Sequence, residues 1–167
     1  MWEGLETSYT GYDYKDDKKS VKSKRKNGYY HSDTAIKKFG EVFTPDKLVN
    51  EMLDKLPSDV FTDKNKTFLD NSCGNGQFLF QVMYRKMMAM SKEKGTRIFA
   101  AHKQALKTIY GCELDSNNAE ECRKRLLNKS TSKELIDIVN EHIITADALD
   151  ENHEGWNKVG FYWNKLA

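Results

Sequence analysis

The sequence predicts an α/β fold built on a doubly wound, mainly parallel sheet, and three observations carry that expectation. Short apolar runs that end in acidic residues recur at 67–70, 109–115 and 143–147. Between them lie longer stretches with apolar residues at helical spacing. A glycine-rich turn, Asp70-Asn71-Ser72-Cys73-Gly74-Asn75-Gly76-Gln77, joins the first run to the first of the long stretches after it. Strands alternating with helices are the pattern that covers the faces of a parallel sheet.

Residues 1–35 carry little periodicity and are expected to be a basic, flexible arm, with the domain proper expected at 36–167. The arm holds a charge run from Lys15 to Lys26 that includes Lys18, Lys19, Lys22, Lys24 and Arg25. Such a run is usually a solvated, mobile segment. Read functionally, it is a phosphate-contacting arm, with Tyr29, Tyr30 and His31 as stacking surfaces for a nucleic acid.

Thr44 can cap a helix, Pro45 suits its first position, and Asp46 complements its dipole. Leu48, Val49, Met52, Leu53 and Leu56 are the apolar residues of that helix, and Pro57 stops it. Strand one is 67–70, and a helix follows over 77–91 with Phe78, Leu79, Val82, Met83 and Met87. Its methionine-rich end reads as core filling. A short helix over 98–108 precedes strand two at 109–114. Asp115-Ser116-Asn117 cap a helix that runs to Asn128, and Leu135, Ile136 and Val139 mark another over 132–141. Strand three is 143–147 and a fourth is 159–163, after which the sheet reads as truncated.

The 167 residues suffice for one core. With 27 Lys and Arg against 25 Asp and Glu, no global charge drives the chain toward nucleic acid or membrane. Three cysteines, Cys73, Cys112 and Cys122, are an odd number without metal-ligand spacing, so neither a disulfide framework nor a metal is expected. His31, His102, His142 and His153 are scattered and read as surface or structural. No apolar run approaches the roughly 20 residues of a membrane span. The start of the chain has no signal-peptide pattern. A reduced, cytoplasmic protein is the expectation.

Glycine in the 70–77 turn lets backbone approach a ligand, and N–H groups at the following helix start favour an anionic group. A dinucleotide loop would need G-x-G-x-x-G, but the third glycine position is Leu79. The pattern D-x-x-C-G-x-G instead resembles motif I of the S-adenosylmethionine-dependent DNA adenine-N6 methyltransferases of restriction–modification systems and phages. Gly40-Glu41-Val42-Phe43-Thr44-Pro45 resembles that family's motif X. Ile109-Tyr110-Gly111-Cys112-Glu113-Leu114-Asp115 resembles motif II, and Ile143-Ile144-Thr145-Ala146-Asp147-Ala148-Leu149 resembles motif III. The four stand in family order across residues 40–149.

The resemblance implies a Rossmann-like class I methyltransferase fold, S-adenosylmethionine (SAM) as cofactor, and DNA as the partner of the basic arm. It places Gly74, Gly76 and Cys73 in the turn against the methionine part of SAM, and Asp70 near its ammonium group. Asp70 could equally serve only its own turn. Thr44 would meet the methionine carboxylate, Glu113 the ribose hydroxyls, and Leu114 the adenine face. Asp147 would accept from the adenine amine, with the Ala148 backbone facing the ring. The family's catalytic motif IV, [DNS]-P-P-[YFW], has no counterpart, because the only prolines are Pro45 and Pro57. The catalytic residues are therefore unassigned.

Three functions stay open. The chain could be an adenine-N6 DNA methyltransferase completed by a partner chain or a second copy through an exposed sheet edge. It could be an inactive SAM-binding accessory module. It could, thirdly, be an enzyme that degrades SAM.

Overall fold

The computed structural model of the chain describes residues 44–150. The basic arm, the motif X residues Gly40 to Phe43, the expected strand at 159–163, and His31 and His153 lie outside the described residues.

Among the described residues, three parallel strands form the sheet: β1 (Phe68–Asp70), β2 (Ile109–Glu113) and β3 (Ile143–Thr145), in the order β1-β2-β3. Phe68 pairs with Ile109 and Asp70 with Gly111, and Gly111 pairs in turn with Ile143 and Glu113 with Thr145. The strands are shorter than the 67–70, 109–114 and 143–147 expected from sequence: β1 starts one residue later, at Phe68, while bends after Glu113 and Thr145 end β2 and β3 early. Parallel neighbours need crossovers. The first uses α3 (Gln77–Ser91) and α4 (Ile98–Leu106), and the second uses α5 (Ser116–Leu127) and α6 (Lys133–His142).

Among the described residues, two helices precede β1. In α1 (Asp46–Leu53), Pro45 is the capping residue, with extended backbone, and its carbonyl accepts from the Val49 N–H at 3.0 Å. Pro45 thus stands one position earlier than expected. Thr44 lies before the cap and makes no capping bond, which corrects the sequence expectation. Only Val49 and Leu53 of the apolar set are buried, while Leu48, Met52 and Leu56 are exposed. The helix rests on α3 through one narrow i, i+4 stripe. The second helix, α2 (Asp59–Thr62), has no counterpart in the sequence reading. Its Phe61 is buried and stacks on Phe68 of β1 at 5.6 Å between ring centroids.

The main core lies between α3, α4, α5, α6 and the sheet face that carries Ile109, Gly111 and Ile143. Leu79, Val82, Met83, Met87 and Met90 of α3 are all buried there, as the core-filling expectation required. Each such side chain contributes about 1.5–3 kcal/mol through removal from water. On the opposite face Cys112, Ile144 and Ala146 form a second cluster, with Leu69, Tyr110 and Ala148 against it. His102 is buried with Nε2 2.8 Å from the Leu126 carbonyl, and its burial lowers its pKa, so it is structural as expected.

Candidate functional site

In an open parallel sheet, ligands bind outside the carboxyl ends of the strands. Four acidic residues gather at that end here: Asp70 closes β1, Glu113 closes β2, Asp115 starts α5, and Asp147 follows β3. The β1 ladder stops at the Asp70–Gly111 pair, yet the Cys73 N–H still donates to the Cys112 carbonyl at 3.0 Å. The glycine loop therefore runs beside the upper end of β2. The Gly76 N–H closes the loop on the Cys73 carbonyl at 2.8 Å.

Gly74 and Gly76 both take positive φ, 52° and 82°, which favours glycine at each. Gly76 has a second constraint. A Cβ there would stand 2.5 Å from the Cys122 Sγ and 3.1 Å from the Cys122 Cα. The absence of its side chain thus serves the approach of α5 to the loop. Cys73 also faces this packing. Its Sγ lies 4.0 Å from the Cys122 Sγ, and the contact with that thiol together with burial pushes the Cys73 thiol far up. The Cys73 side chain is buried against Cys122. The Cys112 thiol is pushed up to about 11 by burial and donates to the Ala146 carbonyl. Buried, protonated thiols are poor nucleophiles.

Glu113 is half-buried and links two loops. Its Oε2 accepts from the Gly74 N–H at 2.8 Å, and its Oε1 accepts from the Asp115 N–H at 2.9 Å. The Asp115 Oδ1 in turn accepts from Asn117 and Asn118 at 2.9 and 3.0 Å, capping α5 as the sequence predicts. Asp70 is half-buried, and its Oδ1 accepts from the Ser72 N–H at 3.1 Å. Burial raises the Asp70 carboxyl above its usual range, the Ser72 bond opposes this, and the Glu113 charge adds to it. Asp147 is exposed, and its Oδ1 accepts from the Leu149 N–H at 2.9 Å. Each carboxylate thus holds its own loop while leaving acceptor capacity toward solvent.

Apolar surface borders these acids. Leu114 is 59% exposed and Leu149 is 88% exposed, the two highest values among large apolar side chains of the described residues. Leu114 was expected beside a ligand. Leu149 was read only as the end of the segment resembling motif III and was given no place beside a ligand. Thr44 sits half-buried at the start of α1, and Ala148 is half-buried beside Asp147. Among the described residues no group of three His, Cys, Asp or Glu side chains could hold a metal. No described helix is long and apolar enough to cross a membrane.

The family model described as N-6 DNA Methylase matches residues 29–160, most of the chain. The chain belongs to the N-6 DNA methylase family. No curated protein and no solved structure matches it. The matched stretch contains the glycine loop, Glu113 and Asp147. Methylases of this family generally use SAM, a cation at its sulfonium and ammonium groups that also bears a ribose diol. The donor set fits such a group. Three carboxylates stand at one sheet edge, and each Glu113 oxygen, engaged by one N–H, retains a lone pair for a hydroxyl.

Proposed function

We propose that the chain is the cofactor-binding part of a SAM-dependent adenine-N6 DNA methyltransferase on a Rossmann-like, doubly wound sheet. The observation that carries this reading is the row Asp70, Glu113, Asp147, one acid at or just beyond the carboxyl end of each of three consecutive parallel strands, with a positive-φ glycine loop tied to the middle one.

In this reading Glu113 takes the ribose hydroxyls and Leu114 covers one adenine face. Asp147 accepts from the adenine amine through the oxygen that does not hold Leu149, with Ala148 beside the ring. Asp70 faces the ammonium, and that positive charge offsets the cost of an ionised Asp70 near Glu113. Gly74, Gly76 and the Cys73 backbone shape the methionine end, and Thr44 meets its carboxylate. When bound, SAM supplies a methyl group already activated on sulfur. The protein's task is then placement of the target amine rather than strong acid–base chemistry. The lysines between Lys15 and Lys26 would contact DNA phosphates, which makes binding weaken steeply with salt.

A second reading is favoured by one sequence observation. With only Pro45 and Pro57, the residues given contain no [DNS]-P-P-[YFW] segment to hold a flipped adenine. A SAM-binding module that turns over only with a partner chain fits that fact equally. One experiment separates the readings. The pure chain is incubated with SAM and unmethylated DNA, and nucleosides and SAM products are resolved by mass spectrometry. N6-methyladenine with S-adenosylhomocysteine establishes the enzyme. Intact SAM with measurable binding establishes the module, and SAM breakdown without DNA product establishes a degrading enzyme. No SAM binding by calorimetry overturns the site assignment. Glu113→Ala is expected to abolish binding while the fold survives, with stability lowered by about 1–3 kcal/mol for two lost backbone partners.

A further inference from the structure

The Glu113 carboxylate is engaged from two sides by loops far apart in sequence. Gly74, 39 residues away, donates to Oε2 at 2.8 Å, and Asp115 donates to Oε1 at 2.9 Å. Gly74 belongs to the loop between β1 and α3, whereas Asp115 caps α5. The positive φ of Gly74 is part of the loop geometry that turns its N–H toward β2. We propose that Glu113 is a positioning residue for the whole cofactor edge: its carboxylate sets the spacing between the Gly74 loop and the α5 start. Contacts to the methionine end of the cofactor then depend on a side chain that itself reaches only the ribose end. This rests on the SAM reading above and goes beyond the ribose contact expected of a strand-end acid.

The chemistry requires a carboxylate. It is acceptor-only, with two oxygens and room for about four hydrogen bonds. One N–H and one hydroxyl per oxygen can be held together, so tethering and ribose binding do not compete. A glutamine of the same length must turn its NH2 group toward either Gly74 or Asp115. That sets donor against donor and releases one loop. Charge-assisted bonds are also roughly twice as strong as neutral ones.

The experiment uses a ligand without ribose hydroxyls, 2′,3′-dideoxy-S-adenosylhomocysteine, beside ordinary S-adenosylhomocysteine. Calorimetry compares the full chain with Glu113→Gln. If Glu113 positions the loop, the variant binds the dideoxy ligand about tenfold more weakly than wild type does, one lost hydrogen bond's worth. Equal dideoxy affinities for wild type and variant overturn the proposal, since Glu113 would then act on the hydroxyls alone. The Gly74 amide gives an independent readout in the free protein by ¹⁵N NMR. Its proton, or that of the Asp115 amide, whichever the NH2 group faces, is expected upfield and faster to exchange in Glu113→Gln, and unchanged Gly74 and Asp115 signals together also overturn the proposal. If wild type binds neither ligand, the SAM reading fails, while the two amides still decide the tether. If Glu113→Gln does not fold, Glu113→Asp, one methylene too short to span both loops, carries the same two readouts.

Discussion

The two ends of the sheet handle buried polarity in opposite ways. At the amino end, cationic and imidazole side chains donate to backbone carbonyls. The fully buried Lys86 reaches the carbonyls of Asp63 and Lys66 at 2.9 and 2.7 Å, just before β1. Arg123 donates to the Ile143 carbonyl at 2.7 Å, at the start of β3. His142 Nδ1 stands 3.0 Å from the Leu106 carbonyl and 3.1 Å from that of Ile109. At the carboxyl end the sign is reversed, and Asp70, Glu113, Asp115 and Asp147 accept from backbone N–H groups. Parallel α/β order dictates the split, because helix carboxyl ends and strand starts share one edge and leave carbonyls over, while the other edge leaves N–H groups. The difference teaches where a ligand can enter. At the cationic end Lys86, Arg123 and His142 are spent on the chain's own carbonyls, whereas the acidic end is half-exposed and its carboxylates keep acceptor positions toward solvent.

The sharpest way to break this contrast is Lys86→Met. The substitution keeps length and apolar stem but leaves the carbonyls of Asp63 and Lys66 without their donor. A loss of about 2–4 kcal/mol is expected in urea unfolding, with cofactor affinity unchanged. Unchanged stability would mean that the amino end is no better satisfied than the acidic one. A smaller effect is expected at the acidic end. Asp115→Ala removes the cap of α5, which holds two N–H groups, and should cost about 1 kcal/mol. Its backbone N–H still reaches Glu113, so SAM affinity should fall far less than in Glu113→Ala. Equal losses of affinity in the two variants would show that the Asp115 side chain, rather than the Glu113 tether, sets the site.

Much of this contrast was legible in the sequence at one end only. The acids announce themselves, because each ends a short apolar run and is followed by a turn or a helix start. That pattern pointed to three parallel strands, the glycine loop, the Asp115 cap and Glu113 at the end of β2. The amino end was illegible for a physical reason: Lys86 sits among methionines, and nothing local tells a buried lysine from a solvated one. Its partners are supplied by Asp63 and Lys66, 23 and 20 residues away. Helix α2 escaped notice because four residues span barely one turn and show no periodicity. The Gly76 constraint was likewise hidden, since Cys122 comes from a helix 46 positions further on. Thr44 was misplaced as a cap because a proline fits either side of a helix start.

The finest test of the comparison is Asp70→Asn, read against pH. Asp70 holds Ser72 through one oxygen, a bond the asparagine Oδ1 keeps, so the variant removes charge and little else. Burial and the neighbouring Glu113 charge raise the Asp70 carboxyl in the folded state above its unfolded value. The folded protein therefore binds that proton more tightly than the unfolded chain does. Stability falls as pH rises from the ordinary carboxylate range through the raised folded value, and the full penalty is present at neutral pH. Asp70→Asn should consequently be more stable than wild type at neutral pH, by about 1 kcal/mol or less. Its advantage should shrink on acidification, as wild type takes up the proton. Urea unfolding of both proteins across that range measures the difference directly. A variant less stable at every pH would show that the Asp70 charge is already compensated within the folded chain. The reason to expect a ligand cation between Asp70 and Glu113 would then be gone, and the acidic end would be as self-sufficient as the cationic one.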